Sequence, residues 1–140
     1  MPAEVIRQNY TGNGSLSLVY DVFTYIPHLK INTEFILFNK NVTELSLGYS
    51  PYVMLKDRDV HVLRGKVSES DCKGDAFMIG IASRFYFMNN IFLKGHIDYF
   101  YMKAEGREDQ YLVGDWIGEL DHKVFSKTLT AGLSIGYSFR

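Results

Sequence analysis

The chain has 140 residues, 46% of them hydrophobic and 15% aromatic, which suits one folded domain and excludes a disordered composition. Its 15 lysine and arginine residues nearly balance 16 aspartate and glutamate residues, so the net charge of −1 argues against a general nucleic-acid binder. The single cysteine, Cys72, excludes an internal disulfide, and no uncharged run approaches the ~18–20 apolar residues of a membrane helix.

Alternating side chains predict five long antiparallel strands, because successive residues of a strand point to opposite faces of a sheet. The first strand covers about 14–38, and its register changes near Pro27. Proline within a strand indicates a bulge or an edge, so we favour a bulge there over a turn. The other predicted strands are at about 42–57, 76–88, 91–104 and 123–139, and the two long loops are at 58–75 and 105–122.

Charged residues concentrate in two parts of the chain. Residues 56–75 hold ten of the 31 charged side chains, and residues 103–123 hold nine. Aromatic, β-branched and small residues dominate the rest of the sequence. This distribution favours long, apolar-sided strands that are joined alternately by short turns, at 39–41 and 89–90, and by long polar loops.

The last predicted strand shows the clearest alternation. Apolar side chains occupy most of its odd positions, whereas serine, threonine and glycine occupy most of the even ones. In a soluble barrel or sandwich the apolar face would form the core, whereas in a membrane barrel it would meet lipid. The residues that separate these two interpretations are Leu129, Leu133, Ile135 and Tyr137.

The strand lengths favour a transmembrane β-barrel. All five strands exceed the norm of about 5–6 residues for soluble sheets, whereas bilayer-crossing strands take about 9–11 residues. Five strands cannot close around a lumen, and an open edge in lipid leaves backbone N–H and C=O groups unsatisfied. We therefore expect an all-β, antiparallel transmembrane barrel that is incomplete. It would form a single partial domain over 1–140, the C-terminal half of a longer protein.

The pattern Asp-x-Asp-x-His is the strongest candidate for chemistry. In an extended chain, Asp57, Asp59 and His61 share one face. A carboxylate beside a histidine orients the imidazole and stabilises its charged form, which makes the histidine a general base near neutral pH. By itself the pattern is weak, since a solvated charged loop has the same composition. Continuing the alternation of the preceding strand would point Asp59 and His61 outward, so an inward position requires a register shift, for example near Pro51.

Several segments follow one another in a characteristic order and spacing: Tyr25-Ile26-Pro27, Glu44-Leu45-Ser46-Leu47-Gly48-Tyr49, the Asp-x-Asp-x-His triplet, Arg64-Gly65-Lys66-Val67, and the closing Thr130-Ala131-Gly132-Leu133 with Tyr137-Ser138-Phe139. In this combination, over about residues 14–139, the chain resembles the C-terminal half of an omptin, a family of outer-membrane endopeptidases of Gram-negative bacteria. The family fold is a ten-stranded barrel with its active site in a groove at the extracellular end.

The resemblance implies that a water nucleophile is held between the catalytic pair Asp59–His61 and a second pair of aspartates. Asp57 matches the acidic residue that binds a basic side chain, so the substrates would be peptides or proteins cut after Arg or Lys, often between two basic residues. The second pair belongs to the half of the barrel that this chain lacks, although Asp109 and Asp115 lie in a predicted loop that could approach the groove. We therefore expect the chain alone to be inactive.

The resemblance also implies a required lipid, lipopolysaccharide. We expect no other cofactor, no metal, because no Cys/His spacing suggests a metal site, and no nucleic-acid partner, because the charges balance. Arg64 and Lys66 are the candidate lipopolysaccharide contacts, whereas Phe23 stands where the family has an arginine on the barrel wall. The implied location is the outer membrane, with the active loops outside the cell. The alternative is a non-enzymatic outer-membrane barrel, an adhesin or a porin-like protein, in which Asp59 and His61 would not converge.

Overall fold

A computed structural model describes residues 4–12, 15–38, 41–87 and 90–138, most of which lie in seven strands. A 3₁₀ turn at Val62–Arg64 is the only helical element among these residues. No helix in this part of the chain has the length and apolar character needed to cross a membrane. The strands are β1 (Glu4–Gly12), β2 (Ser15–Tyr25), β3 (Leu29–Phe38), β4 (Asn41–His61), β5 (Lys66–Tyr86), β6 (Ile91–Leu112) and β7 (Asp115–Tyr137).

The strands hydrogen-bond in the order β1-β2-β4-β5-β6-β7, and β3 pairs with β4. The β1–β2, β2–β4 and β3–β4 pairs are antiparallel. The prediction of an all-β, antiparallel protein is therefore confirmed. The predicted number of five strands is wrong, because β1 was not expected and the first predicted strand is divided into β2 and β3.

Pairing with β2, rather than its own alternation, accounts for β1. The sequence of β1 mixes polar and apolar residues without a consistent apolar face. Arg7 of β1 lies directly opposite Asp21 of β2 and forms an ion pair with it. Such partners lie outside the segment itself, and therefore the periodicity of the segment alone does not reveal this strand.

The first predicted strand is interrupted around Pro27, which has no N–H to donate to a neighbouring strand. On one side of the break Tyr25 pairs with Met54 of β4, and on the other side Leu29 pairs with Tyr49. The four-residue interval from Tyr25 to Leu29 therefore lies opposite a five-residue interval of β4, from Met54 to Tyr49. The extra residue of this bulge belongs to β4, opposite the proline.

The bulge changes which face of β4 is buried. Over residues 46–50 the buried positions are even-numbered (Ser46, Gly48 and Ser50), whereas over residues 53–55 they are odd-numbered (Val53 and Leu55). The Ser50 hydroxyl lies 2.6 Å from the carbonyl oxygen of Pro27, to which it donates a hydrogen bond. The register shift that the Asp-x-Asp-x-His motif requires is therefore present, next to the proline that follows Ser50.

The two segments predicted as long loops, 58–75 and 105–122, consist mostly of strand, so this part of the prediction is wrong. The connection between β4 and β5 is limited to residues 62–65, and the connection between β6 and β7 to residues 113–114. High charge therefore does not mark loops in this chain.

Opposite charges on neighbouring strands explain why these segments remain extended. In β5, for example, one face carries exposed charged side chains, whereas the other carries small ones that are buried. Cross-strand pairs of opposite charge contribute about 0.2–1 kcal/mol each to a sheet. The pairs on this face are Lys56–Asp71 (3.1 Å), Arg58–Glu69 (3.1 Å), Arg107–Glu119 (2.8 Å) and Lys123–Glu105 (3.4 Å).

The chain contains two compact units, and β4, β5, β6 and β7 each contribute to both. We name them after the side chains that each exposes. The charged unit consists of the described residues of Met1–His28, Ser50–Ala76 and Met102–Phe125, and the apolar unit of those of Leu29–Tyr49, Phe77–Tyr101 and Ser126–Arg140.

In the apolar unit, the apolar side chains of β7 are exposed rather than packed. Leu129, Leu133 and Ile135 are 70%, 80% and 75% exposed, and Tyr137 is also exposed. Within the described residues, the apolar face of β7 is therefore not covered by other parts of the chain. Four residues of the predicted turns and of the closing Tyr137-Ser138-Phe139 segment lie outside the described residues, namely Asn39, Lys40, Asn89 and Phe139.

Close approach of β5 and β6 in the charged unit requires a glycine at position 74. A Cβ there would lie 1.8 Å from the carbonyl oxygen of Lys103, so the backbone of β6 would have to move. We expect Gly74→Ala to lower the free energy of unfolding by about 1–3 kcal/mol, the usual cost of overpacking. The midpoint of urea unfolding measures this loss.

Gly95→Ala provides the matched control for this prediction. A Cβ at Gly95 would meet only Leu133 Cδ2, at an ordinary contact distance of 3.5 Å. Equal unfolding midpoints for the two variants would contradict the assigned contact between β5 and β6.

Candidate functional site

Three side chains of the Asp-x-Asp-x-His motif lie together in the charged unit. Asp57, Asp59 and His61 are all partly buried and share the face of β4 that carries Leu55. Asp59 Oδ2 lies 3.1 Å from His61 Nε2. The carboxylate therefore engages one ring nitrogen and leaves Nδ1 as the nitrogen that can take a proton from water or substrate.

The second carboxylate oxygen of Asp59 has no hydrogen-bond donor among the described residues. This atom, Oδ1, is buried. A buried acceptor without a donor costs about 1–3 kcal/mol, and such atoms in native proteins commonly mark binding or catalytic positions. Asp59 Oδ1 is therefore suited to accept a hydrogen bond from a bound water molecule or from a substrate N–H group.

Asp57 is the most enclosed carboxylate of the site, with a side chain that is only 9% exposed. The hydroxyl of Ser70, on β5, donates a hydrogen bond to Asp57 Oδ1. His122, on β7, places Nε2 3.5 Å from Asp57 Oδ2. Two strands besides β4 thus fix the position of this carboxylate.

His122 lies between two carboxylates. Its Nε2 faces Asp57, and its Nδ1 lies 3.2 Å from Glu108 Oε2 on β6. Gln110 donates a hydrogen bond of 2.9 Å to the other oxygen of Glu108. Because both ring nitrogens of His122 face carboxylate oxygens, neither is available as a general base, in contrast to His61.

Sequence reasoning missed Glu108 and His122, which fall in a segment predicted to be a loop. A signal for Glu108 was present in the alternation of β6. The buried residues of this strand, Met102 and Ala104, have even numbers, and the same alternation can be continued through the charged residues that follow. That continuation places Glu108 on the same face as Met102. For His122, the register between β6 and β7 is also needed, and the sequence does not supply it.

Tyr20, on β2, borders the two aspartates of the motif and lies directly opposite Asp59 in the β2–β4 pair. Burial raises the pKa of its phenol, and the negative charges of Asp57 and Asp59 raise it further. The phenol therefore remains protonated across the neutral range. It can donate a hydrogen bond to a carboxylate and cannot act as a base there.

The other predicted site residues lie away from this cluster. Asp109 is in β6 rather than in a loop, and it accepts a 3.1 Å hydrogen bond from Trp116 on the face opposite Glu108. Asp115 begins β7 and is exposed. Neither residue supplies a second aspartate pair next to Asp59.

The candidate lipopolysaccharide contacts lie at the connection between β4 and β5. Arg64 is exposed at the end of the 3₁₀ turn, and Lys66 is the first residue of β5. Gly65, between them, accepts a 2.7 Å hydrogen bond from the backbone N–H of Val113, which ties this turn to the β6–β7 connection. Their role in lipid binding stays a prediction.

No group of three or more His, Cys, Asp or Glu side chains in the described residues is arranged to hold a metal ion. The acidic and histidine side chains pair with one another instead. Comparison with models of known protein families gives no match, and comparison with curated proteins gives none either.

Proposed function

We propose that this chain is the part of an omptin-type endopeptidase that carries the Asp–His pair, and that the complete barrel cleaves peptides after Arg or Lys. The observation that supports the proposal most directly is the 3.1 Å contact between Asp59 and His61, with Asp57 on the same face. In the alternative of a non-enzymatic adhesin or porin-like barrel, these side chains would have no reason to converge.

In the proposed reaction, His61 acts as the general base. It accepts a proton from a water molecule whose oxygen attacks the scissile carbonyl carbon, and Asp59 stabilises the imidazolium that forms. His61 then gives this proton to the leaving amine as the C–N bond breaks. Asp57, a buried carboxylate, attracts the guanidinium or ammonium group of the residue before the scissile bond.

We further propose an outer-membrane location, in which lipid covers the exposed apolar side chains of the apolar unit. The charged face of the charged unit would instead remain in water outside the cell. Among the described residues, β3 and β7 each pair with a single strand. Their open edges would need further strands in lipid, because unsatisfied backbone groups there cost several kcal/mol each. A closed barrel of ten strands would supply those partners.

The test is to join this chain to the half of an omptin barrel that carries the opposing aspartate pair. The joined protein, folded with lipopolysaccharide, is expected to cleave a fluorogenic peptide with two adjacent basic residues. The 140-residue chain alone is expected to be inactive, because half of the groups that hold the water would be missing. Initial rates of fluorescence release measure both expectations.

The same omptin half joined to its own C-terminal half is the positive control. A joined protein that folds, as judged by faster migration on an unheated gel, yet leaves the peptide intact would contradict the proposed function. Cleavage by the 140-residue chain alone, if abolished by His61→Ala, would instead contradict the expectation that the chain is inactive.

A further inference from the structure

We propose that His122 competes with the basic side chain of a substrate for the carboxylates of Asp57 and Glu108. His122 would then be a specificity-determining residue, and Glu108 would be the second carboxylate of the pocket that binds a guanidinium or ammonium group. The inference rests on the proposed function for the class of ligand. It goes beyond that function by assigning two residues that the Asp-x-Asp-x-His motif does not contain.

The geometry of His122 is that of an internal counter-ion. Its two ring nitrogens lie 3.5 Å from an oxygen of Asp57 and 3.2 Å from an oxygen of Glu108. Only the imidazolium form has an N–H group at both nitrogens, so only that form can donate to both carboxylates. When His122 is neutral, one of its nitrogens turns a lone pair toward a carboxylate oxygen.

The two carboxylates suit a planar cation. Asp57 and Glu108 reach the same imidazole from β4 and β6, and Asp57 is nearly enclosed. A guanidinium group offers several N–H donors in one plane and binds carboxylates through pairs of hydrogen bonds. The buried, unpartnered Oδ1 of neighbouring Asp59 independently indicates that this face has an acceptor left for a ligand N–H.

Competition follows from charge. The titratable groups facing His122 and its partners are mainly acidic, and Tyr20 adds no positive charge. The groups that face His122 and its partners are Asp57, Asp59 and His61 from β4, Tyr20 from β2, Cys72 from β5 and Glu108 from β6. Protonation of His122 neutralises part of this acidic cluster, and a second cation is then bound less tightly.

The sign of the pH dependence is therefore fixed. Histidine changes charge between about pH 5 and 8. Because only the protonated form of His122 competes as a cation, loss of its proton raises the affinity for a guanidinium compound, by at most about tenfold per pH unit for one competing proton. By reciprocity, a bound guanidinium compound shifts the titration of His122 to lower pH.

The experiment measures binding of N-acetyl-arginine amide to the 140-residue chain in detergent micelles at pH 5.5, 6.5 and 7.5. We expect the dissociation constant to fall by about tenfold or more from the lowest to the highest pH. Glu108→Gln is expected to weaken binding about tenfold at pH 7.5, because the guanidinium group loses one of its two charged hydrogen-bond partners. N-acetyl-citrulline amide, a neutral analogue, is expected not to bind measurably.

His122→Gln is the decisive variant, because it is expected to flatten the pH dependence of binding. His61→Gln is expected to retain that dependence, which separates the two histidines. Lys123→Gln is the matched surface control. Lys123 is adjacent to His122 in β7 but lies on the opposite face, where it pairs with Glu105 of β6. This variant is expected to bind as the unaltered chain does.

NMR titration of the His122 ring in the unaltered chain gives a second measurement that needs no variant. Saturating N-acetyl-arginine amide is expected to shift the titration midpoint to lower pH. A pH-independent affinity, no binding at any pH, or an unmoved midpoint would each overturn the inference. These measurements involve no peptide cleavage, and so their failure is distinguishable from failure of the proposed peptidase activity.

Discussion

Replacing His61 with alanine in the joined protein is expected to lower kcat/KM for a dibasic peptide by about 10²–10⁴-fold, the usual contribution of a positioned general base. The physical reason is that His61 Nδ1 is the ring nitrogen left available when Asp59 engages Nε2 at 3.1 Å. Without the imidazole, the attacking water keeps its proton as the new bond forms, and the leaving amine has no donor. Initial rates with the fluorogenic peptide measure the loss.

Asp59→Asn is expected to reduce the rate over a similar range. The amide keeps the shape of the carboxylate but no longer stabilises the imidazolium, and its NH₂ group can turn the wrong hydrogen-bonding atom toward His61. Asp109→Asn is the matched control, because Asp109 lies in the same unit but accepts a hydrogen bond from Trp116 on the opposite face of β6. Equal rates for Asp59→Asn, Asp109→Asn and the unaltered joined protein would contradict the assigned role of the pair.

The alternation of apolar and polar side chains predicted the strands well where the exposed face is apolar. It failed where the exposed face is charged. The predicted strand at 76–88 lies largely within β5, and that at 91–104 lies within β6. Both strands extend well beyond the predicted bounds, because ion pairs such as Arg58–Glu69 replace the apolar side chains on the exposed face. A period of two was present in these segments, but it alternated between small and charged residues rather than between apolar and polar ones.

The candidate site divides in the same way between local and distant information. Asp57, Asp59 and His61 are brought together by the two-residue period of a single strand, so the sequence alone was sufficient to predict their common face. Glu108 and His122 reach Asp57 only through the pairing of other strands. Their proximity depends on register, and register is a property of several segments at once.

The register shift in β4 connects the fold to the site. The alternation of the strand before the motif would point Asp59 and His61 outward, and the bulge at Ser50 reverses this. Pro27 and the proline that follows Ser50 cannot donate backbone hydrogen bonds, so regular pairing would be interrupted there in any case. The irregularity of the sheet is thus placed where the function proposed for the site needs it.

Replacing Leu133 with arginine is expected to lower the amount of the protein in the outer membrane if the exposed face of the apolar unit meets lipid. Leu133 is 80% exposed and lies between two other exposed apolar residues of its face, Leu129 and Ile135. An arginine on the lipid face of a membrane barrel costs about 2–4 kcal/mol at the bilayer midplane. That cost would lower the ratio of inserted to uninserted protein by at least about an order of magnitude.

Ser134→Arg tests the same strand from its other face, since adjacent residues of a strand point in opposite directions. If that face lines a polar interior, the added charge is hydrated or paired, and the variant is expected to remain in the membrane fraction. The measurement is the amount of each joined protein in detergent-resistant outer membranes, compared with the unaltered one. Leu133 and Ser134 variants that insert equally well would show that lipid does not distinguish the two faces of β7, and the outer-membrane proposal would then lose its physical basis.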